Sequence, residues 1–137
     1  MRFEEEMGLR YWAAVGLAFL VAGCATLNAG SPEQEKIKVV TERANARWQA
    51  IINKDFDGAY GYLSPASRAT VTSTEFRTVA SRIQYRKAEV QHVACKGAVC
   101  TVEIELTYDT KMMKGVRTPL PESWVIEKGQ AWYVWPM

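Results

Sequence analysis

From Glu33 onward, Ile37, Val40, Ala44, Trp48 and Ile51 recur at steps of three and four residues. That spacing predicts an amphipathic helix reaching about Asn53. Its polar face carries Glu35, Lys38, Glu42 and Gln49, and Ser31-Pro32-Glu33 offers a capping hydroxyl, a proline at the first helical position and an acid in the first turn. A second, short helix is expected to carry Phe56, Tyr60 and Leu63, with Asp57 as its cap and Ser64-Pro65 as its end. Thr72 and Glu75 stand at capping-box spacing before Phe76, Val79 and Ala80, which predicts a third short helix. From Ile83 the period changes to two. Tyr85–Cys95 and Val99–Tyr108 read as strands joined through Lys96-Gly97-Ala98, and Trp124–Glu127 and Ala131–Trp135 as a second hairpin around Lys128-Gly129. Residues 111–122, with two prolines and a glycine, are expected to form a loop. Helices first and antiparallel hairpins afterwards predict an α+β domain with its helices on one face of the sheet.

The segment before this pattern is of a different kind. Tyr11 to Gly23 is a run without a charge, too short for a spanning helix of about 20 residues and of the length of a secretory apolar segment. Val21-Ala22-Gly23-Cys24 follows the order aliphatic, small, small, cysteine, and so resembles the lipobox of bacterial lipoproteins. The resemblance implies a diacylglycerol on Cys24 and cleavage before it, giving a signal peptide at 1–23, a lipidated tether at 24–31 and a domain at 32–137. Ala25 in place of an aspartate implies sorting to an outer membrane, facing the periplasm. Glu4, Glu5 and Glu6 are out of place in a leader, whereas a start at Met7 leaves Arg10 and no acid before the apolar run.

A length of 137 residues argues for a single domain, and a formal charge of only +2 argues against electrostatic nucleic-acid binding. In an exported chain, Cys95 and Cys100 are expected to form a disulfide. A two-residue Gly97-Ala98 turn places them in a non-hydrogen-bonded cross-strand pair, with Cα atoms about 4.5 Å apart. His92 is the one histidine and has no cluster of further ligands around it in sequence, so no metal is implied. No phosphate loop or nucleophile motif implies a cofactor.

The same turn makes partner numbers sum to 195. It puts Val93, Gln91, Glu89 and Lys87 on the face shared with Val102, Ile104, Leu106 and Tyr108, towards the helix. His92 and Glu103 then form an exposed cross-strand pair, and Glu89 is the one inward carboxylate of the hairpin. Trp48, Tyr60, Tyr85, Glu89 and Tyr108 are the candidate pocket, while Trp124, Trp132 and Trp135 are a candidate interface for a partner or a second copy. Arg68, Arg77, Arg82, Arg86 and Lys87 form a basic stripe, either solvated or turned to an anionic envelope surface.

The Trp-bearing first helix, Asp55-Phe56-Asp57-Gly58-Ala59-Tyr60, Leu63-Ser64-Pro65, Arg68 and Phe76, with Gly129-Gln130-Ala131-Trp132-Tyr133 at the end, resemble NTF2-like (cystatin-like) domains. The resemblance covers residues 32–136 and implies a cone: a long helix against a curved antiparallel sheet. Members include enzymes, ligand binders and assembly modules, so fold alone assigns no function. The expectation is a lipid-anchored envelope protein whose domain binds a protein partner or a small apolar ligand without catalysis. The alternative is an acid/base enzyme, isomerase- or dehydratase-like, using Glu89 and the pocket tyrosines.

Overall fold

A computed structural model describes residues 26–137. The expected leader and Cys24 lie outside the described residues. The order is α1 (Glu33–Ile52), α2 (Phe56–Tyr60), α3 (Pro65–Thr70), α4 (Ser73–Ala80), then β1 (Gln84–Lys96), β2 (Val99–Asp109), β3 (Val116–Glu127) and β4 (Gln130–Val134). The strands form one antiparallel sheet in sequence order, with α1 packed on it, as the α+β expectation required.

Local chemistry explains most boundaries. Thr72 and Glu75 close the capping box that starts α4. Asp55, rather than Asp57, caps α2 by accepting from the Gly58 N–H, and Asp57 instead pairs with Arg77. Ser64-Pro65 does not merely end a helix. Its hydroxyl accepts from the Ser67 N–H and its proline opens α3, a cap and first-turn pair of the kind expected at Ser31-Pro32. Ser31 itself makes no helix cap; its hydroxyl accepts from the Asn28 N–H and closes a turn.

Residues 26–31, the described part of the expected tether, are docked. Leu27 is buried, bridges Gly129 and anchors residues 26–31 against the β3–β4 turn. Gly129 has φ +75°, and a Cβ there would stand 2.4 Å from the Thr26 side chain, so glycine permits the approach.

Two corrections concern the sheet. Residues 116–122 belong to β3 and pair with β2 from Tyr108↔Val116 to Val102↔Glu122. Pro119 and Pro121 are tolerated because β4 pairs only with Ser123–Glu127, leaving this stretch of β3 as an edge. The β1–β2 register keeps the 195 sum from Lys96↔Val99 to His92↔Glu103, then shifts at two bulges, between Val90 and His92 and between Tyr85 and Lys87. A one-residue slip exchanges the faces of a strand. Between the bulges, Val90 and Ala88 therefore face the core opposite Ile104 and Leu106, and Glu89 turns outward beside Glu105. The second slip returns Tyr85 to the inner face, opposite Tyr108.

The core joins Val40, Ala44, Trp48 and Ile51 of α1 to Val93, Val102, Ile104, Leu106, Trp124, Ile126, Ala131 and Tyr133 of the sheet. The outer edge of β4 is covered by residues 62–64: Tyr133 N–H donates to the Tyr62 carbonyl and Ser64 N–H to the Tyr133 carbonyl. This cover suppresses open-edge pairing.

Candidate functional site

At the C-terminal end of α1, helix and sheet diverge around a chamber of about 210 Å³. Its walls are Trp48 and Ile51 from α1, Phe76, Val79 and Ala80 from α4, Tyr85 from β1, Leu120 from β3, Tyr133 from β4, and Trp135. The rings brace one another. Trp48 meets Tyr85 edge-on at 5.1 Å between centroids, and Phe76 meets Trp135 at 5.5 Å.

Arg47 also lines this chamber, and its guanidinium is buried. Nη1 donates to Glu122 Oε2 at 2.7 Å, and the indole N–H of Trp48 donates to the same oxygen at 3.1 Å. The Trp124 indole N–H reaches Glu122 Oε1 at 3.4 Å. The guanidinium carbon lies 3.6 Å from the centroid of the Tyr133 ring, a cation–π contact. A buried charge needs a partner and further hydrogen bonds, and Glu122 supplies the first while the two indoles complete its shell. Arg47 Nε is buried and has no hydrogen-bond partner among the described residues. Burial pushes the Tyr133 and Tyr85 hydroxyls above the ordinary phenol range, against the pull of Arg47 in the opposite direction.

Of the expected pocket residues, Trp48 and Tyr85 line the chamber. Tyr60 does not; its hydroxyl donates to the Val71 carbonyl at 2.8 Å and its ring packs on Phe76. Tyr108 stands behind Tyr85, with its hydroxyl 3.1 Å from Thr118 Oγ1. Glu89 is on the outer face, where it pairs with Lys87 at 2.9 Å, because the bulge at Gln91 reverses its side. The acid/base alternative loses its acid by this placement. His92 and Glu103 are opposite and exposed, as their register implies.

The expected aromatic interface is not assembled. Trp124 is fully buried in the core. Trp135 is a chamber wall. Trp132 is half-buried, with Arg43 and Arg68 over its ring and its indole N–H donating to the Glu127 carbonyl. Cys95 and Cys100 are bonded, with Cα atoms 4.0 Å apart, as the turn geometry required. Among the described residues, no group of three His, Cys, Asp or Glu side chains is placed to hold a metal, and no helix is long and apolar enough to cross a membrane.

Arg47 and Glu122 were not among the expected site residues. The available signal was positional. Arg47 stands seven residues after Val40, on the apolar stripe of α1, and Glu122 falls in step with Leu120, Trp124 and Ile126 at a period of two. The prolines masked the second pattern.

No family model and no curated protein sequence matches the chain. Solved structures match its fold. A SEC-C motif containing protein from Psychrobacter arcticus superposes with a TM-score of 0.63 at 12% identity, over 74% of this chain and 61% of that one. The chain thus spans less than two thirds of that relative. A SEC-C motif containing protein from Rhodopseudomonas palustris gives a TM-score of 0.53 at 19% identity, over 64% and 69% of the two chains. An epoxide hydrolase of M. tuberculosis, described as LEH-like, gives 0.52 at 15% identity, over 72% and 82%. At these identities the likeness is one of fold alone: a long helix laid across a curved antiparallel sheet.

Proposed function

We propose that the protein is a lipid-anchored NTF2-like domain of the bacterial cell envelope that binds a small apolar ligand in the chamber at the open end of the cone. The chamber carries this reading. Its walls are aromatic and aliphatic, and its size suits one ring or a short alkyl chain; an apolar cavity of about 150 Å³ already accepts benzene. The aromatic patch that would have favoured a protein partner is instead divided between core, chamber and an arginine-covered ring. Catalysis is disfavoured by chemistry: the inward carboxylate, Glu122, is held by Arg47 and two indoles rather than presented to the chamber.

The anchor rests on the Val21-Ala22-Gly23-Cys24 resemblance, and the docking of Leu27 at the closed end is consistent with it. Thr26 is two residues after Cys24, whereas the chamber lies at the far end of a helix about 30 Å long. A lipid on Cys24 would thus hold the closed end at the membrane and leave the chamber facing away.

Two measurements test this. Cells given a palmitate analogue are expected to label the full-length protein and not Cys24→Ser; equal processing and localisation of the two, without label, would refute the anchor. Purified full-length protein is expected to enhance the fluorescence of the neutral probe N-phenylnaphthylamine, and Ala80→Trp, which fills the chamber, is expected to lose that response. Binding unaffected by Ala80→Trp would refute the chamber as the site.

A further inference from the structure

The chamber has a second cavity beside it. This larger depression, of about 600 Å³, is lined by Ile51, Ile52, Lys54, Phe56 and the stretch Ser81–Arg86. Ile51 and Tyr85 line both cavities, so the two lie side by side across these residues. Their electrostatics differ. The inner chamber contains one charge, Arg47, which Glu122 offsets. The outer depression is lined by three cations, Lys54, Arg82 and Arg86, and by no carboxylate. Arg86 is tied to Asp109, with Nε 2.7 Å from Oδ2. Lys54 and Arg82 form no salt bridge among the described residues.

From this juxtaposition we infer that the ligand is an amphipathic organic anion, with its ring or short alkyl tail in the chamber and its carboxylate or phosphate head on Lys54 and Arg82. The inference rests on the chamber being the binding site and adds the chemistry of the head group. Burying an apolar tail gains the hydrophobic contribution. A head that stays in the half-open outer depression keeps part of its hydration and meets two cations not already neutralised, so it avoids the cost of full desolvation. A dication is repelled by the same groups, and a neutral tail gains nothing from them. Two segments supply the cations. Lys54 follows the end of α1, and Arg82 follows α4, so the head group would bridge the two elements that frame the mouth.

The test uses purified full-length protein and the fluorescence of the wall residues Trp48 and Trp135. Phenylalkanoates with one to six methylenes, the matching phenylalkyl phosphates and the matching primary amides are titrated at low and high salt. The expected result is that acids or phosphates bind at least ten times more tightly than amides of the same length, that high salt narrows the gap, and that Lys54→Gln with Arg82→Gln removes it while leaving amide affinity unchanged. Preference for the acid series identifies a carboxylate ligand, and preference for the phosphate series a phosphate ester. Equal binding of acids, phosphates and amides, or an anion preference that survives the double substitution, overturns the head-group assignment and leaves the chamber reading standing. Absence of binding across all three series overturns both.

Discussion

Helix α1 buries two cations, and the protein treats them in opposite ways. Lys36, at the closed end, donates to the carbonyls of Ala29 and Gly97 at 3.1 and 3.0 Å and forms no salt bridge among the described residues. Arg47, at the open end, meets a carboxylate, a tyrosine face and two indoles that share its partner, yet leaves Nε unpaired among the described residues. Lys36 ties the turn before α1 to the β1–β2 turn. It works as a staple at a place where residues 27–31, the β3–β4 turn and the disulfide also converge. Arg47 sits where helix and sheet separate, and its charge is held in register by side chains rather than by backbone. One end is closed by main-chain contacts, and the other is kept open by a polar network that aromatic rings surround. The lesson is that a buried charge can serve cohesion or can hold a cavity in shape, and its partners show which.

Breaking the open-end network has the largest expected effect. Glu122→Ala strands the Arg47 charge and is expected to cost about 3 to 5 kcal/mol in denaturant unfolding. Adding Arg47→Met should restore most of that loss, since an apolar pair of similar volume is often neutral or better. A double variant no more stable than Glu122→Ala would mean the network contributes through packing and not charge. At the closed end, Lys36→Met leaves two backbone carbonyls without their donor, for an expected cost of about 2 to 3 kcal/mol and no change in ligand affinity. A marked change in affinity would erase the division of labour between the ends.

Reducing the Cys95–Cys100 bond removes the constraint on a short loop and should cost about 2 kcal/mol, measured as a shift in urea midpoint with and without reductant. Gly97→Ala, at φ +59° with open space around the added Cβ, is expected to cost about 1 kcal/mol through backbone strain alone. A loss several times larger would show that the Lys36 staple depends on the turn conformation.

The smallest effect is in alkali and belongs to the open end. Tyr85 and Tyr133 ionise later in the folded protein than unfolded, because burial disfavours the phenolate. Their contribution is fully present below the ordinary phenol range near pH 10 and is lost as pH rises through the folded values. Stability should therefore fall on alkaline titration, and Tyr85→Phe should fall less steeply than the parent. Identical slopes in parent and variant would place the alkaline loss elsewhere.

Much of the local structure was legible in the chain itself. The capping box at Thr72 and Glu75 and the Gly97-Ala98 turn are written in a few adjacent residues, and short-range hydrogen bonds decide them. The cysteine pairing follows from that turn by geometry. Trp48 as a cavity residue followed from the helical period of α1, which keeps its regular repeat, whereas Tyr85 faces inward because the two slips in β1 cancel. Glu89 is not on its expected face, because two bulges in β1 reverse the face of the strand between them, and nothing within the strand announces where the ladder will slip.

What the residues determined on their own is the α+β class, the long helix, the first hairpin near its turn and the disulfide. Each depends on interactions over a few positions or on a period sustained along one element. Only the tertiary structure decided that Pro119 and Pro121 ride an uncovered strand edge, that Glu122 turns inward to meet Arg47, and that Lys54 and Arg82 line the depression beside the chamber. Those outcomes hinge on long-range partners, because a proline is tolerated only where no neighbouring strand needs its N–H, and a charge is buried only once another segment supplies its counter-ion.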